Sequence, residues 1–317
     1  RAVPAAAIVD GKVYIIGGVS GDRDILRSAE SFDPALRAWE ALPPMAVGRA
    51  EPMVAIIGLS MYVCGGEDIE GESLRSAECF DVKQKTWNAL PDMGHRRVGG
   101  MMEVLGSELY VCGGEDDGQL LNSAERFRSD QVWEPLPAMS QKRASAMIVE
   151  NAGSIYVLGG IGDLGEILCL AERFVPGRGL WETLPPMEES RVCANVCVLG
   201  DMLIICGGVN NDEEVLSSVE CLVLRSAGHQ SSAREVGDTR SWSSLPPMQC
   251  GRAGAMAEVL EDKLYICGGK SGNQALDTVE RFDPASATWE AMPSMNQGRF
   301  GAAAIGHDAV FVPPTRT

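Results

Sequence analysis

The chain has 317 residues, 45% of them hydrophobic, with 27 Lys and Arg against 44 Asp and Glu, a formal net charge of −17. That sign argues against nucleic acid, which needs a basic face, and against an anionic membrane surface; it suits a basic protein partner. No apolar run approaches the roughly 18 residues of a membrane-spanning helix. The ten cysteines form neither a CxxC pair nor the disulfide framework of a short secreted domain, so we expect reduced thiols in a cytoplasmic or nuclear protein. The opening on Arg1 reads as a piece of a longer protein.

A period of about 48 residues runs through the chain, and such a period decides the fold before any single motif does. The first repeat (about 1–48) opens with Arg1 and a small-residue strand, Ala2 to Val9. An apolar strand, Val13 to Ile16, then ends at Gly17-Gly18. Glu30-Ser31-Phe32 follows, then Trp39, then Leu42-Pro43-Pro44-Met45. The second (49–96) has Arg49, Gly65-Gly66, Glu78-Cys79-Phe80, Trp87 and Met93. The third (97–142) has Arg97, Gly113-Gly114, Glu125-Arg126-Phe127, Trp133 and Met139. The fourth (143–190) has Arg143, Gly159-Gly160, Glu172-Arg173-Phe174, Trp181 and Met187. The fifth (191–251) keeps Arg191, Gly207-Gly208, Glu220, Trp242 and Met248. It has Ile204 and Leu222 where the others carry Tyr and Phe, and a polar insertion within 224–240. The sixth (252–298) has Arg252, Gly268-Gly269, Glu280-Arg281-Phe282, Trp289 and Met295.

From each Arg to the second Gly is 17 residues in all six repeats, as from Arg49 to Gly66. Each repeat predicts four short strands with polar, Gly- and Pro-rich loops between them. The second strand, a continuous apolar run, is expected to be buried on both faces. Residues 299–317 start a seventh repeat at Arg299 but place Pro313-Pro314 about where Gly-Gly would stand.

The Gly-Gly doublet after an apolar strand, the Tyr before it (Tyr14, Tyr62, Tyr110, Tyr156, Tyr265), the Glu-x-Phe and the Trp resemble the kelch repeat family. The resemblance covers essentially the whole chain. It implies an all-β, six-bladed β-propeller of four-stranded antiparallel blades around a central channel. A seven-bladed form with an incomplete blade stays open as the alternative. The glycines are expected to supply backbone with φ > 0, and the tryptophans to be core residues whose truncation costs roughly 3–5 kcal/mol.

Alternating strand direction sorts the loops into two ends. The loop at each Arg and the loop after each Gly-Gly share one end, and in propellers that this chain resembles that end recognises short partner segments. The partner-binding candidates follow: Arg49, Arg97, Arg143, Arg191 and Arg252 from the first loop class, and Glu67, Asp68, Glu115, Asp116, Asp117, Asp163, Asp212 and Glu213 from the second. Two readings of the arginines are open: a framework pairing with the third-strand Glu of each repeat, or a clamp on an acidic peptide. The post-Gly-Gly loops of repeats 2 to 5 carry eleven of the seventeen net negative charges. They are either solvated loops or an arc that steers a basic segment. Family adaptors that bind acidic peptides often carry Ser just after the Arg; here those positions read Ala2, Ala50, Val98, Ala144, Val192, Ala253 and Phe300, so that ligand type is not carried over.

The resemblance further implies a protein-interaction module, with substrate recognition in a cullin-RING ubiquitin ligase adaptor as the specific form. The alternative is a sugar mutarotase-like enzyme working at the channel mouth with Arg, Glu and His. No catalytic residue, cofactor or metal site is assigned. His95, His229 and His307 have no ligand-spaced partners, Cys193 and Cys197 are too far apart along a strand to chelate together, and no nucleophile or phosphate-loop motif occurs. Cys64, Cys112, Cys206 and Cys267, each before a Gly-Gly, read as small buried hydrophobes.

Overall fold

The computed structural model describes residues 2–224 and 241–301. The repeat 5 insertion, His229, His307 and the seventh-repeat start beyond Gly301 lie outside the described residues. Six four-stranded antiparallel sheets follow one another along the chain, each with its strands side by side in sequence order. Repeat 2 is representative: Met53–Ile57, Ser60–Cys64, Ala77–Asp81 and Thr86–Leu90. The fold class is therefore the expected one, all-β with six blades. Small hairpins, Glu115–Asp116 with Gln119–Leu120 and Lys270–Ser271 with Gln274–Ala275, add to the post-Gly-Gly loops of repeats 3 and 6.

The described residues divide into two compact units, one made of residues 2–145 with Gly301 and the other lying within 146–300. Within the first, Ile16, Met45, Val54, Met61 and Phe80 share a core between the sheets of repeats 1 and 2, and Met53, Met93, Leu109, Val111 and Phe127 share one between repeats 2 and 3. Within the second, equivalent cores join repeats 4 and 5, and repeats 5 and 6. The second strands are the most buried, as their unbroken apolar runs predict; Ser154–Leu158 is buried throughout. The fourth strands are the most exposed.

The tryptophans depart from expectation. Trp87 is only half-buried, packed on Phe80 with ring centroids 4.9 Å apart. Trp39 is 56% exposed, whereas Trp242 is 4% exposed. Four of the six tryptophans make a joint to the preceding repeat: the indole Nε1–H of Trp87 donates to Pro43 O (2.8 Å), Trp133 to Pro91 O (2.9 Å), Trp242 to Pro185 O (2.9 Å) and Trp289 to Pro246 O (2.8 Å). The Leu-Pro-Pro-Met segment thus offers a carbonyl to the next blade while its Met fills the core.

Candidate interaction face

The first strand of each sheet is entered through its Arg, and the structure settles what that Arg does. Arg49, Arg97, Arg143, Arg191 and Arg252 are among the most deeply buried side chains, each at 0–1% exposure. Arg49 Nη2 donates to Glu78 Oε1 (3.1 Å), Arg97 Nη2 to Glu125 Oε1 (2.8 Å), Arg191 Nη2 to Glu220 Oε1 and Arg252 Nη2 to Glu280 Oε1 (both 2.7 Å). In each of these four, Nη1 also donates to the carbonyl of the first Gly of the pair, as Arg97 does to Gly113 O at 2.6 Å. The third-strand glutamates are buried too, and their second oxygens accept backbone N–H groups from the loop before the Arg: Ala46, Gly94, Glu188 and Gln249.

These are buried ion pairs, and removal of either partner would strand a charge in the interior. The clamp reading of the five arginines is thereby corrected: with no exposed guanidinium they are framework.

The Arg backbone reaches the other way. Arg49 N–H donates to Leu26 O and its carbonyl accepts Gly18 N–H (2.8 Å), both in the preceding repeat. This explains the doublet. A Cβ on Gly17 would lie 2.6 Å from Arg49 O, and one on Gly65 2.4 Å from Arg97 O. Both glycines of each pair also sit at positive φ, 64° and 92° for Gly65 and Gly66. Space and conformation each require glycine there.

The Arg loop and the post-Gly-Gly loop do share one end of each sheet. Ala50 and Glu67 exchange both backbone hydrogen bonds at 2.9 Å, and Val98 pairs likewise with Glu115. In the first unit the acids Glu67, Asp68, Glu115 and Asp116 stand here, half-buried. Asp68 Oδ1 accepts the N–H groups of Glu70 and Glu72 (both 3.0 Å), which fixes its loop. Asp117 is a connector: Oδ1 accepts Ser73 N–H (3.1 Å), and Oδ2 pairs with Arg96 Nη1 (2.8 Å). Arg96 also pairs with Glu72 at 3.2 Å, so two acids of these loops are neutralised by a cation outside them. In the second unit Asp163, Asp212 and Glu213 are exposed. Asn211, next to Asp212, is the connector there: it accepts Ile167 N–H (2.7 Å) and donates to Ile167 O (2.8 Å).

One acid was missed. Glu51 lies two residues past Arg49, at a position that reads Val3, Gly99, Ser145, Cys193, Gly254 and Gly301 elsewhere. All of these take positive φ, 49° at Glu51. The surrounding protein desolvates the Glu51 carboxyl even though part of the side chain reaches solvent, and Glu67 and Glu115 repel its charge. Its pKa is raised accordingly. Aligning the repeats on their arginines would have shown the lone acid in that column.

The ten cysteines are thiols. Burial pushes Cys64 and Cys206 up to about 12, consistent with core residues rather than nucleophiles. Among the described residues no three of His, Cys, Asp or Glu are arranged to hold a metal ion.

The Kelch motif model matches residues 1–46, 49–94, 96–140, 143–188, 190–249 and 251–296. The chain belongs to the kelch-motif family. This kelch chain has the family's six-bladed β-propeller fold, and the solved structure of YjhT matches it with a TM-score of 0.71 over 92% of this chain and 97% of that one, at 16% identity. An F-box/kelch-repeat protein of Arabidopsis thaliana is 36% identical over 81 residues, 25% of this chain and 20% of its own length. Kelch-like protein 4 of Homo sapiens is 37% identical over 65 residues, 20% of this chain and 9% of its own length. The kelch chain thus matches only a small part of each curated relative.

Proposed function

We propose that this chain is a binding module that holds a segment of a protein partner on the Arg-loop and post-Gly-Gly end of its blades, without catalysis. One observation carries the reading: the framework at that end is constant and buried, whereas the loops built on it are irregular and, in repeats 2 to 5, acidic. A rigid scaffold with divergent loops is the usual arrangement of a recognition surface. The acids suit a basic segment, whose approach they would accelerate. The names of the F-box/kelch-repeat and Kelch-like relatives support a more specific form, substrate recognition within a ubiquitin ligase adaptor. The enzyme alternative draws no support from the arginines, which are engaged in framework bonds, or from His95, exposed in a loop.

The test is a partner identified by crosslinking to the full-length protein and then measured for binding to this chain. Combined Glu67→Gln, Asp68→Asn, Glu115→Gln and Asp116→Asn should weaken binding and flatten its salt dependence. Unchanged affinity and salt dependence would rule out this end as the site.

A further inference from the structure

The third residue after each Gly-Gly has a structural duty in two repeats. Asp117 clips the preceding loop by accepting Ser73 N–H, and its own N–H donates to Ser73 Oγ (3.2 Å). Asn211 does the same for Ile167 and also donates to Ser190 Oγ at 3.0 Å. In repeat 2 that place is taken by Ile69, which cannot hydrogen-bond through its side chain and stands 62% exposed.

The loop that carries Ile69 is held by hydrogen bonds at several points. It is closed by Asp68 N–H to Glu72 O and Gly71 N–H to Asp68 O (both 3.1 Å), by the Asp68 carboxylate, and by the Asp117 clip behind it. An aliphatic side chain held in water on a fixed loop can be buried by a partner with little ordering cost. Its neighbours in sequence, and the loops paired at the same end, are rich in carboxylates. Glu67 and Asp68 precede it and Glu70 follows, while the backbone pairings of Ala50 with Glu67 and of Val98 with Glu115 bring Glu67 and Glu115 to the same end as Glu51, whose charge they repel. A cation brought to this end would offset the repulsion on Glu51.

We infer that Ile69 is the apolar anchor point of the recognition surface, and that the segment it receives carries an aliphatic residue bracketed by Lys or Arg. This rests on the binding reading above and narrows it to repeats 2 and 3. A side chain that a partner buries from water, with polar groups at the rim, can carry much of an interface's binding energy. Leu164, at the tip of the repeat 4 loop, is 93% exposed but has fewer acids beside it and serves as the control.

The experiment is selection from a random peptide library on the whole chain, run in parallel with Ile69→Ser, with Leu164→Ser, and with combined Glu51→Gln, Glu67→Gln and Glu115→Gln. Wild type should enrich peptides with an aliphatic residue between basic ones. Ile69→Ser should keep the basic preference, lose the aliphatic one, and bind the best wild-type peptide about tenfold more weakly. The triple variant should lose the basic preference, and Leu164→Ser should select as wild type does. Cooperative unfolding at or above the wild-type midpoint would show that all variants fold. If Ile69→Ser selects the wild-type peptides while the triple variant does not, the anchor is wrong and the binding face survives. Loss of the aliphatic preference in Leu164→Ser instead would also overturn the anchor. Wild-type peptides indifferent to every variant, or no enrichment at all, would overturn both.

Discussion

Arg97 and Glu125 form a closed pair: Nη2 donates to Oε1 at 2.8 Å, while Glu125 Oε2 accepts Gly94 N–H at 2.6 Å. Both side chains are almost wholly removed from water, at 0% and 5% exposure. Arg97→Met should therefore cost about 3–5 kcal/mol by leaving Glu125 buried and uncompensated. Adding Glu125→Leu should recover part of the loss. Denaturant titration of the single and double variants checks both statements, and additive losses would contradict the pairing.

Two glycines at positive φ separate crowding from conformation. At Gly65 an added Cβ would meet Arg97 O at 2.4 Å, while at Gly71 it would meet nothing within 4 Å. Gly71→Ala should cost about 1–2 kcal/mol for its left-handed backbone alone. Gly65→Ala should add the overpacking cost, for a total of about 2–4 kcal/mol. Equal unfolding midpoints for the two would refute the close approach of the next repeat's carbonyl.

Trp87 should behave as a joint rather than a core residue. Trp87→Phe keeps the ring packing and loses the bond to Pro43 O, a change of about 1 kcal/mol. Trp87→Ala should cost about 2–3 kcal/mol, below the range for a fully buried aromatic because the side chain is half-buried. Thermal unfolding of both variants would read the difference.

Glu51 gives a pH signature of definite sign. Its carboxyl is raised by burial and by Glu67 and Glu115. Its favourable contribution is therefore full below the unfolded carboxylate range and is lost as pH rises through the raised folded value. Glu51→Gln should unfold at a higher temperature than wild type at neutral pH and show no advantage near pH ~4. A gain that persists at low pH would assign the effect to something other than charge.

Much of this was legible because the repeat is written in residues with strict physical duties. The Arg–Glu pair could be read from spacing alone as one of two options, and burial decided between them. The tryptophans misled because a large aromatic is ordinarily a core residue, and nothing in the sequence states that the outer strand it occupies is half-open. Arg96 and Asp117 were opaque for another reason: their pairing joins two loops that are neighbours only after folding, so a charge count loop by loop could not see it. Glu51 was visible in principle, as the one acid in its column.

The Arg carbonyl belongs to one blade and the Arg side chain to the next, with 17 residues from that Arg to the second Gly. A gene that gained or lost one whole period would recreate the same joint at the new boundary, wherever the cut fell. The loops take no part in that joint except through their ends. They can diverge in length and charge after such a copying event while the blades they rest on continue to fit.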